Sequence, residues 1–270
     1  MDVSVVIVNY NTKDLLINCI NSVIEKTKNI DYEIIVSDNN SGDNSVEALK
    51  NKFPAIKILA LNENIGFGRA NNEGIKQAKG KYIFCLNPDT LLVNNAVKIL
   101  FDFMETHPQT GAAGGNLYDK NMKPIYSFGY GDDIISLLFR KTILKWTHRP
   151  IFRRIKDYEK NRDKSKVQEV NNITGADLML RKSVLDEVGV FNEKFFMYFE
   201  ETELETRIRR AGYKIFFVPD SKIIHLEDKF RNNKHINKHF QESFVEYYRL
   251  CYGEAWAEIA EFLIRKRMKK

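Results

Sequence analysis

Cysteine is scarce in this chain of 270 residues, where Cys19, Cys85 and Cys251 are the only three. They are widely spaced, odd in number and set among apolar neighbours, which argues against a disulfide framework or a Cys-based zinc site. Buried thiols in a reducing compartment are expected instead. Also missing is any apolar run long enough to cross a bilayer, so no membrane anchoring by the chain's own helices is expected. Met1 and Asp2 put no basic stretch ahead of the apolar residues 3–8, which turn polar at Asn9. The opening therefore reads as a core strand and not as a signal peptide, and the expected location is the cytoplasm. No Pro-, Gly- or Ser-rich linker divides the chain and no internal repeat is visible. One large α/β domain with a C-terminal appendage is the economical organisation. Neither charge sign dominates: Lys and Arg number 42 against 36 Asp and Glu, a net +6. That balance suits nucleic acid, anionic lipid or phosphorylated substrates and does not choose among them.

What is present is a regular alternation. Short β-branched runs at 3–8, 33–37, 56–61 and 82–86 are each followed by a segment of helical period, at 15–24, 46–52, 70–78 and 96–104. Consecutive βα units of this kind predict a mostly parallel sheet flanked by helices, with ligands beyond the carboxyl ends of the strands. Polar clusters fall at those ends: Asn9-Tyr10-Asn11, Asp38-Asn39-Asn40-Ser41, Asn62-Glu63-Asn64 and Asn87-Pro88-Asp89. Further strands are expected at 112–118, 124–128, 167–181, 214–218 and 222–225, and helices at 201–210, 240–250 and 254–268.

Several clusters carry possible chemistry, and each has a plainer alternative. Asp38, which follows Ile34-Ile35-Val36 after Ser37, can accept a hydrogen bond from the imide N–H of uracil or thymine; Asp-Asn-Asn-Ser-Gly-Asp is also a good turn. The run from Asn64 to Asn72 sets Gly66 and Gly68 before a helix, where backbone N–H groups and the cation of Arg69 would favour phosphate. The spacing is neither the dinucleotide nor the Walker pattern, so a simple helix start competes. Asp89 is a carboxylate that suits Mg²⁺ or Mn²⁺ when a diphosphate supplies other ligands; a turn or an N-cap would also use it. His225, closing the apolar pair Ile223-Ile224, is a candidate partner for Asp89, although a lone histidine after a strand is commonly structural. Glu200, Glu201 and Glu203 follow the aromatic run 195–199 directly. Apolar and like-charged neighbours raise a carboxylate's pKa toward that of a general base. An acidic first helical turn paired with Arg207 is the plainer account.

Taken together, the blocks 3–11, 36–41, 64–72, 86–89, 175–181, 191–193 and 196–207 resemble, in order, the family-2 inverting glycosyltransferases of the GT-A fold. The rhamnosyltransferase-like branch, which extends bacterial surface polysaccharides, is the nearest in pattern, and the resemblance covers roughly residues 3–225. It implies a GT-A (Rossmann-like) domain at 1–228, interrupted by a basic insertion at about 130–167, and a helical C-terminal extension at 229–270. By the same resemblance Val8, Tyr10 and Asp38 line the base pocket, and Arg69 and Asn72 lie near the nucleotide. The resemblance also implies that Asp89 is the last acid of the D-x-D metal motif, that His225 adds to the Mg²⁺ or Mn²⁺, and that Glu201 deprotonates the acceptor. Three departures stand out: Asn87 replaces one metal carboxylate, Glu201 stands where an aspartate is usual, and Glu203 replaces a further aspartate. The implied reaction is a single displacement with inversion, from a dTDP-sugar (rhamnose first) or a UDP-sugar to a saccharide or lipid-linked acceptor.

Between residues 140 and 166 eleven Lys and Arg stand against three acids, interleaved with Trp146, Phe152 and other apolar residues. This segment and the Lys-rich C-terminus read either as a peripheral contact with the inner face of the plasma membrane or as a solvated lid beside a packed helix. A non-catalytic nucleotide-sugar-binding scaffold is the alternative function. Nucleic-acid binding is not expected, because no nucleic-acid module and no regular aromatic stacking pattern accompany the basic residues.

Overall fold

The computed structural model describes residues 1–129, 164–226 and 234–268. In chain order the elements begin with β1 (Val3–Asn9), α1 (Lys13–Lys26), β2 (Tyr32–Asp38), α2 (Ser45–Lys52), β3 (Lys57–Ala60), α3 (Phe67–Gln77), β4 (Tyr82–Leu86), β5 (Thr90–Leu92), α4 (Ala96–Thr106) and β6 (Thr110–Tyr118). They continue with β7 (Phe128–Gly129), β8 (Gln168–Val170), β9 (Asn172–Ile173), β10 (Asp177–Arg181), α5 (Lys182–Val188), α6 (Glu200–Arg210), β11 (Lys214–His225), α7 (Lys234–Tyr252) and α8 (Glu254–Met268).

The main sheet has nine strands in the order β3-β2-β1-β4-β10-β6-β11-β5, with β8 also on β11. Strands β1 to β4 are parallel, and their register pairs Asn9 with Asp38 and Ile7 with Leu86. The carboxyl ends of β1, β2 and β4 therefore lie nearly level and deliver their polar clusters to one rim, as the βα pattern requires. Strand β1 is buried along its whole length, and its alternating side chains feed two cores. Val3, Val5 and Ile7 pack with Leu16, Ile20, Leu49 and Leu100 of α1, α2 and α4. Val6 packs with Ile75, Val184, Leu204 and Ile208 of α3, α5 and α6 on the other face. A third cluster, rich in aromatics, joins Phe195 to Phe244, Tyr247, Tyr248, Cys251 and Ala260 of the C-terminal helices.

All three cysteines are buried free thiols, and burial pushes the Cys19 and Cys85 thiols up to about 12. No helix among the described residues is long and apolar enough to cross a membrane. The basic insertion lies almost wholly outside the described residues, as does the 228/229 boundary.

The second half departs from expectation where strands are short. The run 167–181 is three strands, β8, β9 and β10, each with its own partners. The two strands expected at 214–218 and 222–225 are one strand, β11, whose register on β6 shifts between Phe217 and Lys222. Pro219 lies within that shift and has no N–H to give a ladder. The strand expected at 124–128 is reduced to a bridge between Tyr118 and Pro124 and the two-residue β7.

Asp177 opens β10 fully buried. Its Oδ2 accepts the Gly115 amide at 2.6 Å, and its Oδ1 has no partner. Burial raises this carboxyl well above its ordinary 3.8, so the folded chain keeps it neutral where the unfolded chain ionises it. Its contribution to stability is complete below the ordinary carboxylate pKa and is lost as pH rises from there toward the folded value. Asparagine keeps an acceptor for Gly115 without the charge. Urea unfolding at about pH 5 and about pH 8 is therefore expected to show a smaller loss for Asp177→Asn than for wild type; an equal loss contradicts this assignment.

Candidate active site at the carboxyl rim

The base-side loops are tied to each other before any ligand arrives. Asn9 donates through Nδ2 to Asp38 Oδ1 at 2.7 Å and to Ser41 Oγ at 3.0 Å. The Ser41 amide donates to Asp38 Oδ2 at 2.9 Å, and the Asn11 amide to Ser41 Oγ at 2.9 Å. Asp38 is only 1% exposed, so its carboxylate is held from two sides. Each oxygen has one such protein donor, and a carboxylate oxygen accepts a second bond readily. The turn reading of Asp38 is thus present in the structure and leaves acceptor capacity. Val8 is buried beneath this rim, whereas Tyr10 is 49% exposed at its edge.

The chain leaves β4 through Asn87-Pro88-Asp89 and enters β5 at once. Strand β5 pairs with β11 so that Thr90 lies opposite His225, and the Leu226 amide donates to the Asp89 carbonyl at 2.9 Å. This brings His225 Nε2 to 3.3 Å from Asp89 Oδ1. The contact lacks hydrogen-bond geometry, and Nε2 is a buried nitrogen without a bonded partner. An orphaned imidazole nitrogen beside a carboxylate is a donor pair that suits a divalent cation, since two adjacent ligands of one six-coordinate ion about 2.1 Å away lie about 3 Å apart. Among the described residues no cluster of three or more His, Cys, Asp or Glu could hold a metal. The residues present therefore fit a site that relies on a ligand's oxygens or water for its remaining positions.

Helix α6 carries the acids. The two residues before it, Tyr198 and Phe199, both have left-handed backbones, with φ of 73° and 68°, a conformation costing on the order of 1–3 kcal/mol per non-glycine residue. Glu203 is buried against Arg207, which donates through Nε at 2.9 Å and through Nη2 at 2.8 Å. Arg207 also holds the carbonyl of Val190 at 2.7 Å. The pairing of Glu203 with Arg207 is the one its spacing predicts. Glu200 is buried with Oε2 unpartnered, and burial first, then the charge of Glu201, raises its carboxyl well above the ordinary range. Glu201 is half-buried. Its side chain runs past Gly175, where an added Cβ would stand 3.7 Å from the Glu201 carboxyl carbon. One residue on, the Ala176 carbonyl accepts the Asn87 amide at 3.0 Å. The loop that leads to Asp89 and the side chain of Glu201 thus meet at 175–176, a junction that no spacing in the sequence reveals.

The glycine-rich start of α3 is tied to the segment before α6. Gly66 has φ of 90°, and a Cβ there would collide with the Phe196 carbonyl. The Gly66 amide donates to Asn64 Oδ1 at 3.0 Å and the Phe67 amide to the Phe196 carbonyl at 2.8 Å. These two N–H groups are therefore engaged within the protein. Gly66 serves close approach of the 196 segment, so the plainer reading of a helix start accounts for this glycine. Arg69, exposed, donates through Nε to the Glu193 carbonyl at 2.7 Å. Asn72, buried, bonds the Phe191 carbonyl at 2.8 Å and the Phe191 amide at 3.1 Å. Both side chains tether the segment that leads into α6.

Residues 4–189 match the model of the family described as Glycosyl transferase family 2. The N-acetylglucosaminyl-diphospho-decaprenol L-rhamnosyltransferase of Mycobacterium tuberculosis is 24% identical over 204 residues, covering 71% of this chain and 66% of that protein. The poly-beta-1,6-N-acetyl-D-glucosamine synthase of Staphylococcus epidermidis is 26% identical over 222 residues, covering 80% of this chain and 48% of that one. The aligned chain thus spans from about half to about two thirds of these relatives' lengths. Among solved structures, that of GalNAc-T7 with UDP, GalNAc and Mn²⁺ superposes with a TM-score of 0.67 at 18% identity, over 92% of this chain and 48% of that chain. The likeness is one of fold, a largely parallel sheet flanked by helices as in GT-A glycosyltransferases. With a family match over most of its length and the fold that goes with it, the chain belongs to glycosyl transferase family 2.

Proposed function

We propose that this protein transfers a sugar, with inversion, from a dTDP- or UDP-sugar to a saccharide or lipid-linked acceptor in cell-surface polysaccharide synthesis. One observation carries the reading above the others: Asp89 and His225, remote in sequence, meet at 3.3 Å. They do so beside the junction against which Glu201 lies. Asp89 and His225 are the residues that would hold Mg²⁺ or Mn²⁺, which when bound supplies positive charge to a departing nucleoside diphosphate.

The remaining roles fall to the chain's own groups. The exposed Tyr10 ring offers a face for a pyrimidine, Val8 backs it, and the second lone pairs of Asp38 accept an imide N–H. Arg69 adds a cation on the nucleotide side, while Asn72 acts through the Phe191 segment it holds. Glu201 takes the proton of the acceptor hydroxyl. Burial raises the Glu200 carboxyl well above the ordinary range, which sets it apart from the half-buried Glu201 beside it.

Rhamnose is the first choice of donor sugar, supported by the name of the M. tuberculosis relative. The diphospho-decaprenol in that name supports a lipid-diphosphate acceptor here. Such an acceptor would make a peripheral position on the inner face of the membrane useful, and α8 presents Phe262 63% exposed.

Two outcomes test this. In a thermal-shift panel, dTDP or UDP with Mn²⁺ should raise Tm by several degrees, as any ligand that binds only the native state does. Asp89→Ala and His225→Ala should each lose the metal-dependent part of that rise. No rise with any nucleotide at saturation would sink the proposal. Glu201→Gln should keep the nucleotide-dependent rise yet slow transfer by about 10²-fold or more, the scale of a lost general base. Transfer at the wild-type rate by this variant would remove Glu201 from the chemistry.

A further inference from the structure

Helix α7 lies beyond the residues matched by the family model, yet it touches the segment before α6 residue by residue. The His239 ring stacks on Phe196 at 4.6 Å between centroids. Ser243 donates through Oγ to the Met197 carbonyl at 2.8 Å. Phe240 meets the Tyr198 ring edge-on at 5.7 Å and lies 5.2 Å from that of Phe199. Phe244 and Tyr247 close on Phe199 at 5.6 Å and 5.5 Å. From the other side the Phe67 amide of α3 bonds the Phe196 carbonyl. The segment is thus clamped between α3 and α7.

The clamp coincides with the two consecutive left-handed residues, Tyr198 and Phe199. Neither is glycine, and bulky side chains leave that conformation unless their surroundings over-determine it. What surrounds them here is the aromatic face of α7. These residues also set where α6 begins and so the direction in which its first turn projects Glu200 and Glu201.

We propose that α7 is a positioning helix for the acceptor-side base, with Ser243 and Phe244 as positioning residues that hold 197–199 in the geometry that aims Glu201. This rests on the reading of Glu201 as the base. Neither residue is assigned a contact with donor or acceptor. Their loss should therefore act on the rate of the bound complex and leave donor affinity alone. Misplacing a catalytic group by about 1 Å can cost about 10²-fold.

The test measures release of nucleoside diphosphate by the full chain. The donor probes are dTDP-rhamnose and UDP-N-acetylglucosamine, and the acceptor is a synthetic N-acetylglucosaminyl-diphosphate lipid. Ser243→Ala and Phe244→Leu should lower kcat by roughly tenfold or more, with donor KM within about twofold, as expected for a displaced base. The acidic limb of the kcat/KM pH profile should shift, and Ser243→Thr, which keeps the hydroxyl, should restore both. Wild-type kcat and pH profile in both folded variants overturn the proposal, as does a loss carried by KM alone. If Phe244→Leu does not fold, the Ser243→Ala and Ser243→Thr pair decides. Glu201→Gln in the same assay separates the two claims. If it is inactive while the α7 variants behave as wild type, positioning by α7 fails alone. If it turns over like wild type, or the wild type releases nothing, the reading of Glu201 fails and the proposal falls with it.

Discussion

Thr90 and His225 face each other in a ladder of three residue pairs between β5 and β11, and the candidate site depends on that short antiparallel contact. A parallel sheet delivers the ends of β1, β2 and β4 to one rim, but it has no means of bringing a residue from the far end of the chain to Asp89. The β5 turn-back does so, with the Leu226 amide locking the Asp89 carbonyl from outside the ladder. The antiparallel pairing sets the backbones of Asp89 and His225 side by side, and their side chains meet at 3.3 Å across it.

The three acids of α6 show how environment divides roles among similar groups. Glu203 is fully engaged by Arg207, which also pins the Val190 carbonyl. Glu200 is turned inward without a partner for Oε2, and burial raises its carboxyl well above the ordinary range. Glu201 lies where glycine at 175 leaves room for its side chain. The same acidic turn therefore supplies a strut, a buried neighbour and a carboxylate at the junction with the Asn87 loop. What keeps the turn in place is not its own sequence but the clamp of α3 and α7 on residues 196–199.

Much of the first half was legible in the sequence because period-2 and period-3.6 patterns are local. The runs beginning at Val3, Glu33 and Tyr82 are rich in β-branched or aromatic residues and largely buried, so their positions and the polar clusters after them follow directly. The pairing of Glu203 with Arg207 is likewise a four-residue property. The family was recognisable for the same reason, since its blocks sit at strand ends. Elsewhere the decisive contacts are non-local. A three-residue strand such as β5 is too short to show a period, and Pro219 hid the continuity of β11. The close approach that Gly66 permits is not visible in the sequence because the Phe196 carbonyl it meets is remote in the chain. Aromatic residues on α7 read as ordinary helix core. Only the left-handed backbones of Tyr198 and Phe199 show what those rings hold.

The central claim is that this rim binds a nucleoside diphosphate together with a divalent cation through Asp89 and His225. Its most direct test is a Mn²⁺ titration followed by electron paramagnetic resonance, with and without dTDP or UDP. Two protein ligands alone should bind the ion weakly, so tight binding should appear only when the diphosphate is present and should disappear in Asp89→Ala. Tight Mn²⁺ binding that ignores the nucleotide, or no binding even with it, would contradict the account.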